Sequence, residues 1–407
     1  MVDADRSLQA SFSACSDTGI IQLTELFDAY ADCRANKRNT MNALSFELDY
    51  ESELISLWED INTGCYKPGR SIAFIVDKPV KREIFAASFR DRVVHHLIIN
   101  KLNSLFEKTF IHDSYACRKG RGTHFGIQRI DRFIRQCSLN YTKDLYVLKL
   151  DIQGFFMAID KSILWVKLRD LITHRYHQDD KNTLLILCHK ILINNPTKNC
   201  HIKGNRHLWD DLPPDKSLFH SAPTCGLPIG NLTSQIFANV YLNEFDHFVK
   251  HDLGMRYYGR YVDDFVMVHQ SSEYLTALIP CIADFLKSRL GLTLHPRKMY
   301  LQHYSKGVHF LGVIIKPNQI SSGKRIKGNF YDAIIRQNHV AAIQKPSHEE
   351  QAAFISSMNS YRGMLKHYKT YRFRKRLLIK QLSAWWWNLV YFSGGCAKLV
   401  PKQRTVR

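Results

Sequence analysis

No Cys-x-x-Cys pair occurs in the 407 residues, although ten cysteines are present. That spacing is the common signature of zinc ribbons and fingers, so a zinc module is not expected. Cys188-His189 and Cys200-His201 are adjacent pairs, a poor ligand geometry, and thiols scattered in this way read as structural cysteines of a reducing cytosol. No apolar run approaches the ~20 residues that span a bilayer. The longest, "AWWWNLVYF" from Ala384, is short and contains Asn388. The N-terminus lacks the basic and apolar regions of a signal peptide, so a cytoplasmic protein without membrane contact is expected. Internal repeats are absent. Acidic residues are also few, 37 Asp plus Glu against 57 Lys plus Arg, a formal charge of +20. Such an excess favours polyanionic partners, nucleic acid before an anionic membrane surface.

What is present indicates a folded chain. Hydrophobic residues make up 45% and aromatics 12%, which excludes wholesale disorder. The length predicts two or three subdomains. Residues 19–64 alternate apolar and charged positions at helical spacing, and Gly64 ends the second helix. "SIAFIVDKPVKREIFAAS" reads as two short strands around a Pro-containing turn, and "RDRVVHHLIINKLNSLFEKTF" as a helix beneath them. "GIQRIDRFIRQC" is a further helix, and "DLYVLKLDIQGFF" a strand that ends on Asp151. Residues 163–194 read as helical, 195–225 as a polar, Pro-rich excursion open to an RNA or protein partner. "NLTSQIFANVYLNEFDHFVKHDLG" is a long helix with Asn231 or Thr233 as its cap and Gly254 as its stop. A hairpin, a helix from "LTALIPC", strands around "VHFLGVII" and a basic helical tail complete an α+β chain.

The hairpin, "YYGRYVDDFVMVH" from Tyr257, sets Asp263 beside Asp264 inside an apolar, aromatic run. Desolvating two like charges costs several kcal/mol per ion unless counter-charge arrives. Asp179-Asp180 and Asp210-Asp211 serve as controls, since polar or Pro-rich neighbours mark both as solvated loop. Asp151 also leaves an apolar strand, and carboxylates from two strands converge if those strands are neighbours. Hard oxygen ligands of this kind suit Mg²⁺. Two such ions about 3.5–4 Å apart serve in-line phosphoryl transfer. The plain alternative is a salt-bridged Asp pair in a core hairpin.

These residues resemble reverse transcriptases. "YVDD" at 261–264 is similar to their Y-x-D-D box and "LKLDIQGFF" to their first palm motif. In the family's order stand also "KPVKREIFAASFRDRVVHHL", "DSYACRKGRGT", "GLPIGNLTSQ", "GLTLHPRK" and "VHFLG". The resemblance implies a right-hand polymerase: an N-terminal helical extension at 1–69, fingers and palm at 70–320, a basic helical thumb at 321–393 and a basic tail at 394–407. It implies that Asp151, Asp263 and Asp264, with the Ile152 carbonyl, hold two Mg²⁺, for which Mn²⁺ can substitute. Lys78 and Arg82 would grip the incoming triphosphate; Arg118, Lys119 and Arg121 lie in the next basic box. Phe156 would exclude a ribose 2′-hydroxyl, and Lys298 would help position the primer end.

One box departs from the family pattern. Where most members read Gln-Gly-x-x-x-Ser-Pro, this chain has Ile229, Gly230 and, in place of the Pro, Gln235. This version resembles reverse transcriptases of diversity-generating retroelements, encoded by bacteria or phages. Ile cannot make the hydrogen bond that Gln offers beside a nascent pair, and losing such a contact weakens discrimination by about 1–3 kcal/mol. Relaxed fidelity follows. Lys366, Arg372 and Arg374, interleaved with aromatics in the basic run from Arg362 to Lys380, suit a duplex-cradling helix. The expected partners are an RNA template, a DNA or RNA primer and deoxynucleoside triphosphates, with a cognate structured non-coding RNA and an accessory protein as further candidates. The rivals are the same chemistry in antiphage defence and a non-catalytic RNA-binding scaffold. Without an endonuclease motif or maturase-like extension, an intron-type role is not favoured.

Overall fold

The structure is a computed structural model that describes residues 20–35, 40–77, 80–394 and 398–402. In chain order come α1 (Leu23–Ala35), α2 (Met41–Glu47), α3 (Tyr50–Asn62), β1 (Ser71–Val76), β2 (Arg82–Ala86), α4 (Phe89–Thr109), α5 (Thr123–Cys137) and β3 (Tyr146–Asp151). Then follow α6 (Phe155–Ala158), α7 (Lys161–Arg175), α8 (Lys181–Ile193), β4 (Cys200–Ile202), α9 (Leu232–His247), β5 (Tyr258–Tyr261), β6 (Asp264–His269) and α10 (Ser272–Leu290). The remainder is β7 (Tyr300–His303), β8 (Val308–Phe310), β9 (Val313–Lys316), β10 (Gln319–Ser322), α11 (Lys324–Ile343), α12 (His348–Leu365), α13 (Tyr371–Gln381), α14 (Ala384–Leu389), β11 (Val390–Ser393) and β12 (Lys398–Pro401). The α+β class expected from the sequence is what forms.

The chain divides into two compact units. The first comprises Met1–Gly126, Leu148–Met267 and Glu273–Tyr300. In it β1 pairs with β2 antiparallel, from Ile72 opposite Ala86 to Val76 opposite Arg82, and with β4 in parallel. The Ser88 hydroxyl caps α4 by accepting from the Asp91 N–H. Behind that cap α4 buries Val93, Val94, Leu97, Ile98, Leu102 and Phe106, and it packs on α1 and α9. β5 and β6 form an antiparallel hairpin with Tyr261 opposite Asp264, and β6 neighbours β3.

Three readings change here. The excursion after residue 195 is not a free loop, because β4 extends the sheet and the Lys203 N–H donates to the Ala73 carbonyl at 2.8 Å. Asp180 is not solvated. It is 5% exposed, accepts from the Tyr176 hydroxyl at 2.9 Å and pairs with Lys101 at 2.5 Å. Asn231 stands at the start of α9 but does not cap it; its side-chain oxygen accepts from the Ala87 N–H at 3.2 Å.

The second unit comprises Ile127–Val147, Val268–Ser272 and Leu301–Arg407. Its core gathers Phe330, Ile334, Phe354, Met358, Leu365, Leu378 and Trp386 from α11 to α14. Trp386 is fully buried, with Trp385 and Trp387 half-buried against the same cluster. The tail is not purely helical, since β11 and β12 close it as an antiparallel pair.

Candidate active site

The turn joining β5 to β6 consists of Val262 and Asp263, and Val262 adopts φ +59°. A β-branched residue resists that conformation, so the turn persists only because its surroundings hold it. Arg260 does the holding. Its Nη1 donates to the Val262 carbonyl at 2.9 Å, while Nε and Nη2 donate to Asp246 of α9 at 2.7 and 2.5 Å. The Tyr258 hydroxyl also donates to Asp246, at 2.6 Å. Arg260 is 1% and Asp246 0% exposed. Neither was marked by sequence, although a lone Arg in an apolar strand and a lone Asp on an apolar helix face are the signal.

The turn brings its carboxylates to the exit of β3. The Ile152 N–H donates to the Asp263 carbonyl at 3.3 Å, and the His295 N–H donates to the Asp151 carbonyl at 2.8 Å. Burial, then the Asp151 and Asp264 charges, push the Asp263 carboxyl up to about 6. Burial likewise pushes Asp264 up to about 6, against the opposing pull of Lys149. Lys149 Nζ lies 2.9 Å from Asp264, and Lys298 Nζ 2.9 Å from Asp151. Lys298, expected near the primer end, is thus placed beside the Asp151 carboxylate. Lys149 was missed, although its position two residues before Asp151 puts it on the same face of β3.

This donor set fits a divalent cation. Asp264 Oδ1 is buried with no hydrogen-bond partner, and both turn carboxyls are held far from their ordinary acidity. Such groups ask for positive charge. The described residues contain no ready-made cage of three or more His, Cys, Asp or Glu side chains, so water and substrate oxygens would complete the coordination.

Around this centre the residues expected to meet the nucleotide fall unevenly. Phe156 and Ile229 are each packed against the buried cluster of Ala73, Phe85, Met157 and Leu218. Gly230 adopts φ +125°, and a Cβ there would meet Ile84 Cγ2 at 2.8 Å and the Phe85 carbonyl at 3.1 Å, so only glycine fits. Gln235 is exposed, and its Oε1 accepts from the Cys117 thiol at 3.1 Å. Arg82 is exposed at the start of β2; Lys78 lies outside the described residues.

Two of the expected nucleic-acid contacts are corrected. Arg118 is 8% exposed: Nε and Nη2 hold Glu107 at 3.0 and 2.8 Å, and Nη1 the Ile111 and Ser114 carbonyls. It is a structural cation. Arg374 is likewise 8% exposed on α13, buried beside Leu378 and not presented to a phosphate. Lys119, Lys366 and Arg372 are exposed, while Arg121 is half-buried over the Phe125 ring, 5.0 Å from its centroid.

Neighbouring strands of this α+β fold carry Asp151, Asp263 and Asp264 at adjoining ends, the arrangement of a right-hand polymerase. Residues 77–315 match the family described as reverse transcriptase (RNA-dependent DNA polymerase), and the chain belongs to that family. By class it is an RNA-directed DNA polymerase. Protein YkfC of Escherichia coli K12 is 23% identical over 298 residues, covering 64% of this chain and 70% of that protein. An uncharacterized 91 kDa protein in the cob intron of Schizosaccharomyces pombe is 26% identical over 46% of this chain and 19% of its own length. The COX1/OXI3 intron 2 protein of Saccharomyces cerevisiae is 22% identical over 72% of this chain, which spans 38% of it. Telomerase of Candida albicans with a TWJ fragment of telomeric RNA aligns with TM-score 0.44 at 12% identity, covering 84% of this chain and 64% of that one. Among the described residues no helix is long and apolar enough to cross a membrane.

Proposed function

We propose that the protein copies an RNA template into DNA by adding deoxynucleoside triphosphates to a DNA or RNA primer. The observation that carries this is the meeting of Asp151, Asp263 and Asp264 at adjoining strand ends, with Asp264 Oδ1 buried and unpartnered. Asp151, Asp263, Asp264 and the Ile152 carbonyl would hold Mg²⁺. Two such ions supply Lewis acidity to an attacking 3′-hydroxyl and to a departing pyrophosphate. Arg82 offers the triphosphate a charge-assisted donor. Phe156 would lie against the sugar of the incoming nucleotide and disfavour a 2′-hydroxyl. Fingers and palm correspond to 70–320 and the thumb to 321–393, where exposed Lys366 and Arg372 supply phosphate contacts. The intact carboxylates weigh against a non-catalytic scaffold. Two relatives are intron proteins by name, which favours a retroelement setting over antiphage defence.

The full chain, given an RNA template, a DNA primer, the four deoxynucleotides and Mg²⁺, is expected to extend the primer. EDTA should stop it, and Mg²⁺ or Mn²⁺ in excess of the chelator should restore it. A chain that extends no primer on RNA under these conditions contradicts the proposal.

Fidelity is the finer part. Ile229 presents a hydrocarbon side chain to the cluster that holds Phe156, so a nascent pair finds no hydrogen-bonding amide there. Copying should therefore be error-prone, and Ile229→Gln should cut misincorporation by about tenfold, the equivalent of one recovered polar contact. Sequencing of the cDNA decides it. An unchanged error spectrum removes the link between this residue and fidelity.

A further inference from the structure

The segment between α8 and α9 is gripped from two sides by the parts of the first unit that would meet a nucleotide. Side chains alternate along β2, so Arg82 and Ile84 face one way and Glu83 and Phe85 the other. Glu83 is 1% exposed. Its Oε1 accepts from the Trp209 indole N–H at 2.7 Å and the Ser217 hydroxyl at 2.8 Å, and its Oε2 accepts from the Leu218 N–H at 2.6 Å. All three donors belong to the segment. Trp209 and Leu218 then pack in the cluster of Phe156 and Ile229, and the Phe219 ring lies 5.4 Å from that of Phe85. On the other flank Asp215 accepts from the Gln153 amide at 3.3 Å, and its carbonyl stands 2.7 Å from where a Cβ on Gly154 would be. Residues 209–219 thus join the strand that bears Arg82 to the loop between Asp151 and Phe156.

A carboxylate buried this deeply is tolerated only where its acceptors are filled, and apolar side chains would pack a mere loop at lower cost. We infer that Glu83 is a positioning residue for nucleotide selection: by latching residues 209–219 it backs Phe156 with Trp209 and Leu218. The latch fixes how far the Phe156 ring reaches toward the sugar of an incoming nucleotide. This rests on the polymerase reading above. It gives the segment a role in choosing deoxynucleotides over ribonucleotides, in place of the open partner surface that its polarity suggests.

Glu83→Gln keeps the shape and one acceptor but sets an amide N–H₂ against the Leu218 N–H. Three measurements on the full chain with bound template–primer test the latch. They are amide exchange at 217–218, affinities for dATP and ATP titrated with Ca²⁺ to prevent turnover, and primer extension at saturating dATP. Faster exchange, a fall of about tenfold in dATP-over-ATP selectivity and a nearly unchanged maximal rate are expected. Faster exchange with wild-type selectivity overturns the inference, because the latch then only holds the fold. If Glu83→Gln gives no cooperative melt, Trp209→Phe removes the indole donor alone, and unchanged selectivity in that variant overturns it equally. A wild-type chain that binds dATP and ATP alike also overturns it. Selective binding without extension instead refutes polymerisation and leaves the latch standing.

Discussion

Asp263→Asn is expected to reduce primer extension by at least about 10²–10³-fold and yet to raise the melting temperature of the chelated protein at neutral pH. The two effects share one cause. Burial and the neighbouring Asp151 and Asp264 charges hold the Asp263 carboxyl at about 6 in the fold, against 3.8 for an ordinary aspartate. Between those pH values the folded chain binds more protons than the unfolded one. The contribution of this carboxyl to stability without a divalent ion is therefore greatest below about pH 4, falls as pH rises toward 6 and levels off above. At pH 7.5 the ionised carboxylate costs on the order of 1–3 kcal/mol that Asn does not. The advantage of Asp263→Asn should shrink to nothing as the pH is lowered to 4, and excess Mg²⁺ should stabilise wild type more than variant. Thermal melts across pH in EDTA and in Mg²⁺ measure this. A variant that melts below wild type at pH 7.5 in EDTA contradicts the account, as does an advantage independent of pH.

Asp246→Asn is expected to cost about 3–5 kcal/mol of folding stability, because it leaves the fully buried Arg260 guanidinium without its counter-ion. Denaturant titration reads the loss. The informative comparison is Asp246→Leu with Arg260→Met, which removes both charges together. Replacing a buried pair by hydrocarbon restores much of the stability lost when one partner is removed. Extension should nevertheless stay impaired, because Met cannot donate to the Val262 carbonyl that Arg260 holds at 2.9 Å. Stability and activity would then separate, marking Arg260 as the residue that keeps a strained turn ready for chemistry. Full recovery of both by the double variant would show that the turn needs no such support.

The centre was legible because its signal is local and costly. Two aspartates among "FVMV" and a strand ending on Asp151 have few solvated explanations, and pairing between β5 and β6 follows from alternation. The surrounding shell was not legible, because its partners are distant in sequence. Arg118 counts as a free cation until Glu107 and the Ile111 and Ser114 carbonyls close around it. Asp180 reads as loop until Lys101 arrives from α4. In the basic run of the second unit, charge density is apparent but helix phase is not, and phase buries Arg374 while leaving Arg372 and Lys375 in solvent. The excursion misled for a related reason: its polarity is spent inward, on Glu83.

The stretch Ile229-Gly230-Asn231 is riveted to its neighbour at alternate residues. The Phe85 N–H donates to the Ile229 carbonyl at 2.8 Å, and the Ala87 N–H donates to Asn231 at 3.2 Å, with Gly230 pressed between them. The backbone at 229 has little freedom to drift when its side chain is changed. A library of residues at this single position would accordingly work as a clean dial, reporting side-chain chemistry on copying accuracy with the main chain held constant.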